Sequence, residues 1–303
     1  MTSIHRRVFL GVTLLGALGC SRPEQNNAAP AASSSTGTTS AVAAKPASNS
    51  VTLKGSDTMV ILGQRWAEDY MKEHAGTTIQ VTGGGSGTGI AALINGATDI
   101  CESSRPMKDA EKADVQAKRS APAVETKVAL DALAIYVNDK SPVKEISLPA
   151  LKKIYMGEAK NWKEVGGPDH AIILYGRENN SGTYGYFKEH VLQNKDFVAS
   201  VQTLAGTSAV VNAVKGDVYG IGYGGIAYLE GIRALNVKKD DATPAVKASL
   251  ETAQDGSYPI SRFLYFYTAG EPTGTAQDFE KFVLSPAGQK VITDVGYYPL
   301  PKS

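Results

Sequence analysis

Three times along the chain a strand-like run stops at a loop of glycine and hydroxylic residues, and a helical pattern begins directly after it. The runs are Val51–Lys54, Thr78–Thr82 and Ile172–Tyr175, and the loops are Gly55–Thr58, Gly83–Gly89 and, past Arg177, Ser181–Thr183. A strand that must return parallel to its neighbour needs a long crossover, usually a helix, so this unit demands an α/β fold with mainly parallel sheets. Further strand patterns are Asp99–Cys101, Val128–Val137, Val218–Tyr223 and Phe263–Tyr267. Helical patterns cover Ile61–Met71 with a stop at Gly76, then Ile90–Asn95, and Ser141–Glu164 with a break at Gly157. Another runs through Phe187 and Val191, and a last one from Ala276 to Asp294. A length of 303 residues suits two domains.

The loops share one chemistry. The first N–H groups of a helix have no partner within it and carry partial positive charge. Small residues let a ligand come close to them, and Ser and Thr hydroxyls add rotatable donors. A single such loop is an ordinary N-cap. Three of them, all at the carboxyl ends of expected parallel strands, where ligand crevices of open α/β sheets lie, make an anion cradle. Arg105 follows Ser103-Ser104 at one strand end, and Arg177 precedes Ser181 at another. A guanidinium is a planar fork of donors suited to tetrahedral oxyanions.

Other chemistries fit poorly. Lys and Arg number 31 against 30 Asp and Glu, a formal charge of +1, without the basic excess of a nucleic-acid binder. Two cysteines, Cys20 and Cys101, cannot build a disulfide scaffold or a cysteine zinc cluster, and the four histidines stand apart without an HxH or HExxH pattern. No metal and no cofactor is expected. Gly220–Gly225 reads G-x-G-x-x-G after a strand, but Lys238 and Lys239 stand about 20 residues on, where a dinucleotide site needs an acid. The Gly83–Gly89 loop lacks the G-K-[ST] ending of a phosphate loop for nucleotides, and Gly84–Thr88 misses G-x-S-x-G by its final Thr.

The N-terminus reads as an export signal. Arg6-Arg7 precede an apolar run from Val8 to Leu18, too short for the ~20 residues of a membrane-spanning helix. The arginine pair fits a twin-arginine signal, although His5 stands in its flank, and general secretion remains the alternative. Ala17-Leu18-Gly19-Cys20 resembles a lipobox, which makes Cys20 the expected site of lipidation. Removal of residues 1–20 takes away Arg6 and Arg7 and no acid, so the formal charge falls from +1 to −1. Residues 21–50 are Ala, Ser, Thr, Asn and Pro with almost no large apolar side chains, the composition of a disordered tether. Cys101, the remaining thiol, is expected to be a small buried hydrophobe.

Four segments together resemble the PstS family, the phosphate-binding components of bacterial ABC-type phosphate uptake. They are Lys54–Met59, Thr82–Ile90, Asp99–Pro106 and Arg177–Tyr184, and the likeness runs over residues 51–303. The resemblance implies a two-lobed type II periplasmic binding protein, each lobe a mainly parallel sheet flanked by helices, joined by a two-strand hinge. Lobe one is then 51–138 plus 260–303 and lobe two 139–259. The crossings fall near Tyr136–Ser141 and Tyr258–Arg262. The implied phosphate contacts are Ser56, Thr58, Ser86, Ser104, Arg105, Arg177, Ser181, Gly182 and Thr183, with Met59 offering a backbone N–H. The family commonly has Asp where Ser104 stands, so the acceptor of a phosphate proton falls to Asp57 or Glu178. The implied function is a non-enzymatic, monomeric lipoprotein of the periplasm or cell envelope. It would capture inorganic phosphate and deliver it to an ABC permease in the inner membrane. Sulfate or another tetrahedral oxyanion, and an exported phosphatase using Ser86 or Ser181, are the alternatives.

Overall fold

The computed structural model describes residues 49–301. The expectations for the export signal, for Cys20 and for nearly all of the tether lie outside the described residues.

The elements begin with β1 (Ser50–Gly55), α1 (Val60–Glu73), β2 (Thr78–Thr82), α2 (Ser86–Ile94), β3 (Ile100–Ser103) and α3 (Asp109–Arg119). A long strand, β4 (Ala123–Asn138), leads to β5 (Glu145–Ser147), α4 (Leu148–Tyr155), β6 (Ile173–Arg177) and α5 (Gly182–His190). Then come β7 (Gln202–Leu204), α6 (Thr207–Lys215), β8 (Gly220–Gly225), β9 (Ile232–Ala234), β10 (Asn236–Lys238) and α7 (Leu250–Gln254). The chain closes with β11 (Ser261–Ala269), α8 (Gly274–Leu284) and α9 (Pro286–Val295).

Nine of the described strands form one sheet, in the order β2-β1-β3-β11-β4-β8-β6-β7 with β9 also on β4. The expected parallel pairs are there: β1 with β2 and β3, and β6 with β7 and β8. Between them lie antiparallel β11 and β4, so the sheet is mixed at its centre. The central strand β4 changes partner along its length. Ala123 to Ala132 pair with β11, and Leu133 to Val137 pair with β8. Its side chains join different cores along that length. Val128 and Ala129 join Trp66, Tyr70, Phe266 and Phe279, while Leu133, Ile135 and Val137 join Tyr155, Trp162, Phe187 and Tyr223.

Three expectations are corrected. The helical reading of Ser141–Glu164 gives way to β5, which pairs with β10, and to the short α4. Ser147 caps α4 with Pro149 in its first turn, and Gly157 at φ +78° lies just past its end. The closing helix is two helices, because Pro286 has no N–H to continue α8 and Ser285 ends one and caps the next. Helix α2 starts at Ser86 rather than Ile90, inside the glycine loop. Gly89 makes that possible: a Cβ there would lie 2.3 Å from the Lys54 carbonyl oxygen, so only glycine lets this turn lie on β1. Helices α3 and α6, which carry few large apolar residues, were not anticipated.

Candidate anion site

The loops that leave β1, β3 and β6, together with the first turn of α2, bring five hydroxyls to one place. Ser56 Oγ donates to Ser104 Oγ at 2.8 Å. Ser86 Oγ lies 3.3 Å from Ser104 Oγ and accepts the Ser104 N–H at 3.1 Å. Thr183 Oγ1 lies 2.8 Å from Thr58 Oγ1 and 3.5 Å from Ser104 Oγ. All five residues are at most 2% exposed. A hydroxyl both donates and accepts, so such a group can re-aim its hydrogens at the oxygens of an anion.

Backbone dipoles surround the hydroxyls. The α2 N-terminus follows Gly85 and has no side-chain cap. At α5 the Ser181 Oγ accepts the Tyr184 N–H at 3.2 Å, which leaves the N–H groups of Gly182 and Thr183 without a partner inside the helix. Gly182 lies against the cluster, since a Cβ on it would be 2.2 Å from Ser86 Oγ and 2.7 Å from Ser104 Oγ. Two tyrosines hold the first loop by its carbonyls: Tyr297 donates to the Thr58 oxygen at 2.6 Å and Tyr228 to that of Asp57 at 2.8 Å. The α2 and β6 loops also clasp each other. The Gly87 N–H donates to the Asn180 carbonyl at 2.9 Å, and Asn180 Nδ2 to the Gly84 oxygen at 3.0 Å.

The expected residues are not all placed alike. Ser56, Thr58, Ser86, Ser104 and Thr183 meet through their hydroxyls, and Gly182 abuts them. Ser181 is buried beside them as the α5 cap. Met59 is fully buried, and its N–H donates to the Ser56 carbonyl at 2.9 Å. Arg177 is buried among partners: Nη2 donates to Asp57 at 2.7 Å, Nε to Glu178 at 3.1 Å and Nη1 to Thr207 Oγ1 at 3.0 Å. Both candidate proton acceptors are thus engaged. Asp57 also accepts the Gly84 N–H at 2.8 Å, and Glu178 the Gly206 N–H at 3.2 Å. Arg105 is not brought to the hydroxyls. Its Nη1 and Nη2 hold Glu111, at 2.8 and 2.7 Å, and Nη1 also reaches the Pro106 carbonyl at 2.9 Å.

Sequence reasoning missed Arg262. Its side chain is 1% exposed, with Nη2 3.0 Å from Thr183 Oγ1 and Nη1 3.0 Å from the Ser104 carbonyl oxygen. Asp131 takes its Nε and Nη2 at 2.9 and 2.8 Å. An arginine directly before the apolar run Phe263–Tyr267 was the available signal, because a charge drawn into a buried strand must be paired. Cys101 is fully buried, and burial pushes its thiol up, which suits an inert core residue. No group of three His, Cys, Asp or Glu placed to hold a metal occurs among the described residues. No helix among them is long and apolar enough to cross a membrane.

A family model of the PBP superfamily domain matches residues 31–287. The phosphate-binding protein PstS of Pseudomonas aeruginosa is 34% identical over 264 residues, covering 82% of each chain. The protein of the same name from Bacillus subtilis is 35% identical over 263 residues, covering 86% of this chain and 84% of the relative. Among solved structures, a Clostridium perfringens protein described as a candidate phosphate ABC transporter substrate-binding protein was crystallised with bound phosphate. It is 28% identical with a TM-score of 0.76, covering 83% of this chain and 100% of its own. An ABC-type phosphate transport receptor from Vibrio cholerae is 26% identical with a TM-score of 0.66, over 83% of this chain and 100% of that one.

Proposed function

Because the chain belongs to the PstS family of phosphate-binding proteins, we propose that it captures inorganic phosphate at the buried hydroxyl cluster and delivers it to an ABC-type permease. The observation that carries this reading is the meeting of the Ser56, Thr58, Ser86, Ser104 and Thr183 hydroxyls between the N-termini of α2 and α5. On phosphate entry each hydroxyl exchanges a neighbouring hydroxyl for a phosphate oxygen. Helix N–H groups complete the shell, Gly182 and Thr183 from one side and Ser86, the first residue of α2, from the other. Arg177 and Arg262 are each already paired with a carboxylate, so the anion is held by oriented dipoles and shared guanidinium donors rather than by a free positive charge.

The chain is taken to cross between the lobes along the end of β4, from Leu133, where it changes partner, to the expected Tyr136–Ser141, and again just before β11. Loops from both lobes line the cluster, so capture and release require the lobes to swing apart, a hinge motion of the ordinary kind. The chain acts outside the cytoplasm as a monomer, tethered by a lipid on Cys20, and carries out no catalysis. Titration calorimetry of ligand-free protein with phosphate and sulfate tests the reading, and a sample that takes up no phosphate sinks it. Cys20→Ala should move the protein from the membrane to the soluble fraction. A chromogenic phosphate ester should not be turned over.

A further inference from the structure

We propose that Arg262, clamped by Asp131 where β4 changes partner, is a further positioning residue of the phosphate site, and that it sets how long the anion is held. The proposal rests on the phosphate reading above. Arg262 and Asp131 face each other directly in the β11–β4 register, two positions before β4 passes at Leu133 from β11 to β8. From that point the guanidinium touches ligand loops on both sides. Nη1 donates to the Ser104 carbonyl, in the loop after β3, and Nη2 to Thr183 Oγ1, in the first turn of α5. The plane of the fork is fixed by Asp131, whose other oxygen accepts the Ile226 N–H at 3.0 Å. The Tyr186 ring lies 5.4 Å from the guanidinium carbon.

The contact with Thr183 has a chemical consequence. A hydroxyl that accepts from a guanidinium, which can only donate, keeps its own hydrogen for another partner. Thr183 therefore keeps its hydrogen for the cluster, where Thr58 Oγ1 stands 2.8 Å away, either hydroxyl able to donate, and where a phosphate oxygen, which accepts, would stand. Ser86 likewise accepts the Ser104 N–H, which leaves its own hydrogen for the cluster. Arg262 thus leaves the Thr183 hydrogen available to the anion and keeps the Ser104 loop and α5 at one spacing. Both contacts exist together only when the two loops are side by side, so the fork favours the ligand-holding arrangement. Its charge is met by Asp131, so its shape matters and its charge alone does not. Lysine, a point charge on a flexible stem, cannot reach Asp131, Ser104 and Thr183 at once.

Stopped-flow measurement of phosphate association and dissociation on the full chain tests this. The variants are Asp131→Asn combined with Arg262→Gln, which removes both charges together, and Arg262→Lys. Dissociation should speed up at least ~10-fold in both, with association within ~3-fold of wild type, as expected for a contact made after encounter. A merely structural role would lower stability and leave the dissociation rate of the folded fraction unchanged. If the double variant fails to fold, Arg262→Lys alone decides, because it keeps a cation beside Asp131. Wild-type dissociation in a folded variant overturns the proposal and leaves the phosphate reading intact. A wild-type chain that does not bind phosphate overturns both.

Discussion

Arg105 and Arg262 each grip a carboxylate with two nitrogens, but in opposite settings. Arg105 stands beside a serine pair in sequence and holds Glu111, six residues on, with side chains 14% and 22% exposed. Arg262 stands far from every ligand loop in sequence and holds Asp131, at 1% and 0% exposure. The guanidinium of the conspicuous arginine binds none of the hydroxyls, and the inconspicuous one touches two of the loops that build them. Nearness along the chain places a Cα, whereas the direction of a long side chain is set by what it must pair with. At Arg105 a local acid at the start of α3 wins the fork. At Arg262 strand register leaves the neighbouring buried Asp131 as its charge partner.

The comparison breaks most easily at Arg262. Arg262→Ala leaves Asp131 as an uncompensated buried charge, which costs about 3–5 kcal/mol of stability. Adding Asp131→Asn should recover most of that. Urea unfolding of the single and double variants measures it, and a single variant within ~1 kcal/mol of wild type would mean that the pair carries no such weight.

Gly182→Ala attacks the same centre from the α5 side. The added methyl would lie 2.2 Å from Ser86 Oγ and 2.7 Å from Ser104 Oγ, where an anion and its donors must meet. Phosphate affinity should fall at least ~100-fold, or about 2.7 kcal/mol at 1.36 kcal/mol per decade. Calorimetry at several protein concentrations would detect that loss, and an affinity close to wild type would mean that the Gly182 backbone does not face the ligand.

A third expectation concerns Glu102, the buried acid of the neighbouring strand β3. Both its carboxyl oxygens lack a partner, and it is fully buried next to Gly63. Burial pushes this carboxyl well above the ordinary glutamate value of 4.5. The folded chain therefore keeps a proton that the unfolded chain releases, so stability falls as pH rises above 4.5. Glu102→Met removes both the orphaned group and the slope. It should stabilise the protein by about 1–3 kcal/mol at pH 7 and flatten the pH dependence of melting from pH ~5 upward. A lower melting temperature at pH 7 would refute this.

The parallel ends of the sheet and the loop hydroxyls were legible because the signals are local. Gly55–Thr58 and Ser181–Thr183 carry their own turn and cap chemistry, and the strands before them are short apolar runs. The antiparallel centre was not legible. Nothing in the Ala123–Asn138 sequence marks Leu133 as the point of partner exchange, because the residues on both sides of it, from Val128 to Val137, are buried alike. Asp131, the one charge inside that run, was a readable signal of a buried pair, but its partner Arg262 lies 131 residues on and only the strand register joins them. Ser141–Glu164 misled for a different reason: its spacing suits a helix, but the Glu145–Ser147 backbone found a strand partner in β10.

The smallest effect is expected at Arg105, and it sharpens the contrast. Burial pushes the Glu111 carboxyl up, but the Arg105 fork and the Lys108 N–H outweigh this and leave it below the ordinary 4.5. A carboxyl lowered in the folded state contributes stability that is full above 4.5 and disappears as pH falls through its folded value. Arg105→Gln should therefore cost at most about 1 kcal/mol near neutral pH, the scale of a partly exposed pair. Wild type and variant should converge in melting temperature as Glu111 takes up its proton in acid. Phosphate affinity should stay within ~3-fold of wild type, because the Arg105 fork reaches none of the five hydroxyls. A loss of affinity as large as that expected for Gly182→Ala would show that Arg105 leaves Glu111 when phosphate arrives, and the two arginines would then belong to one site.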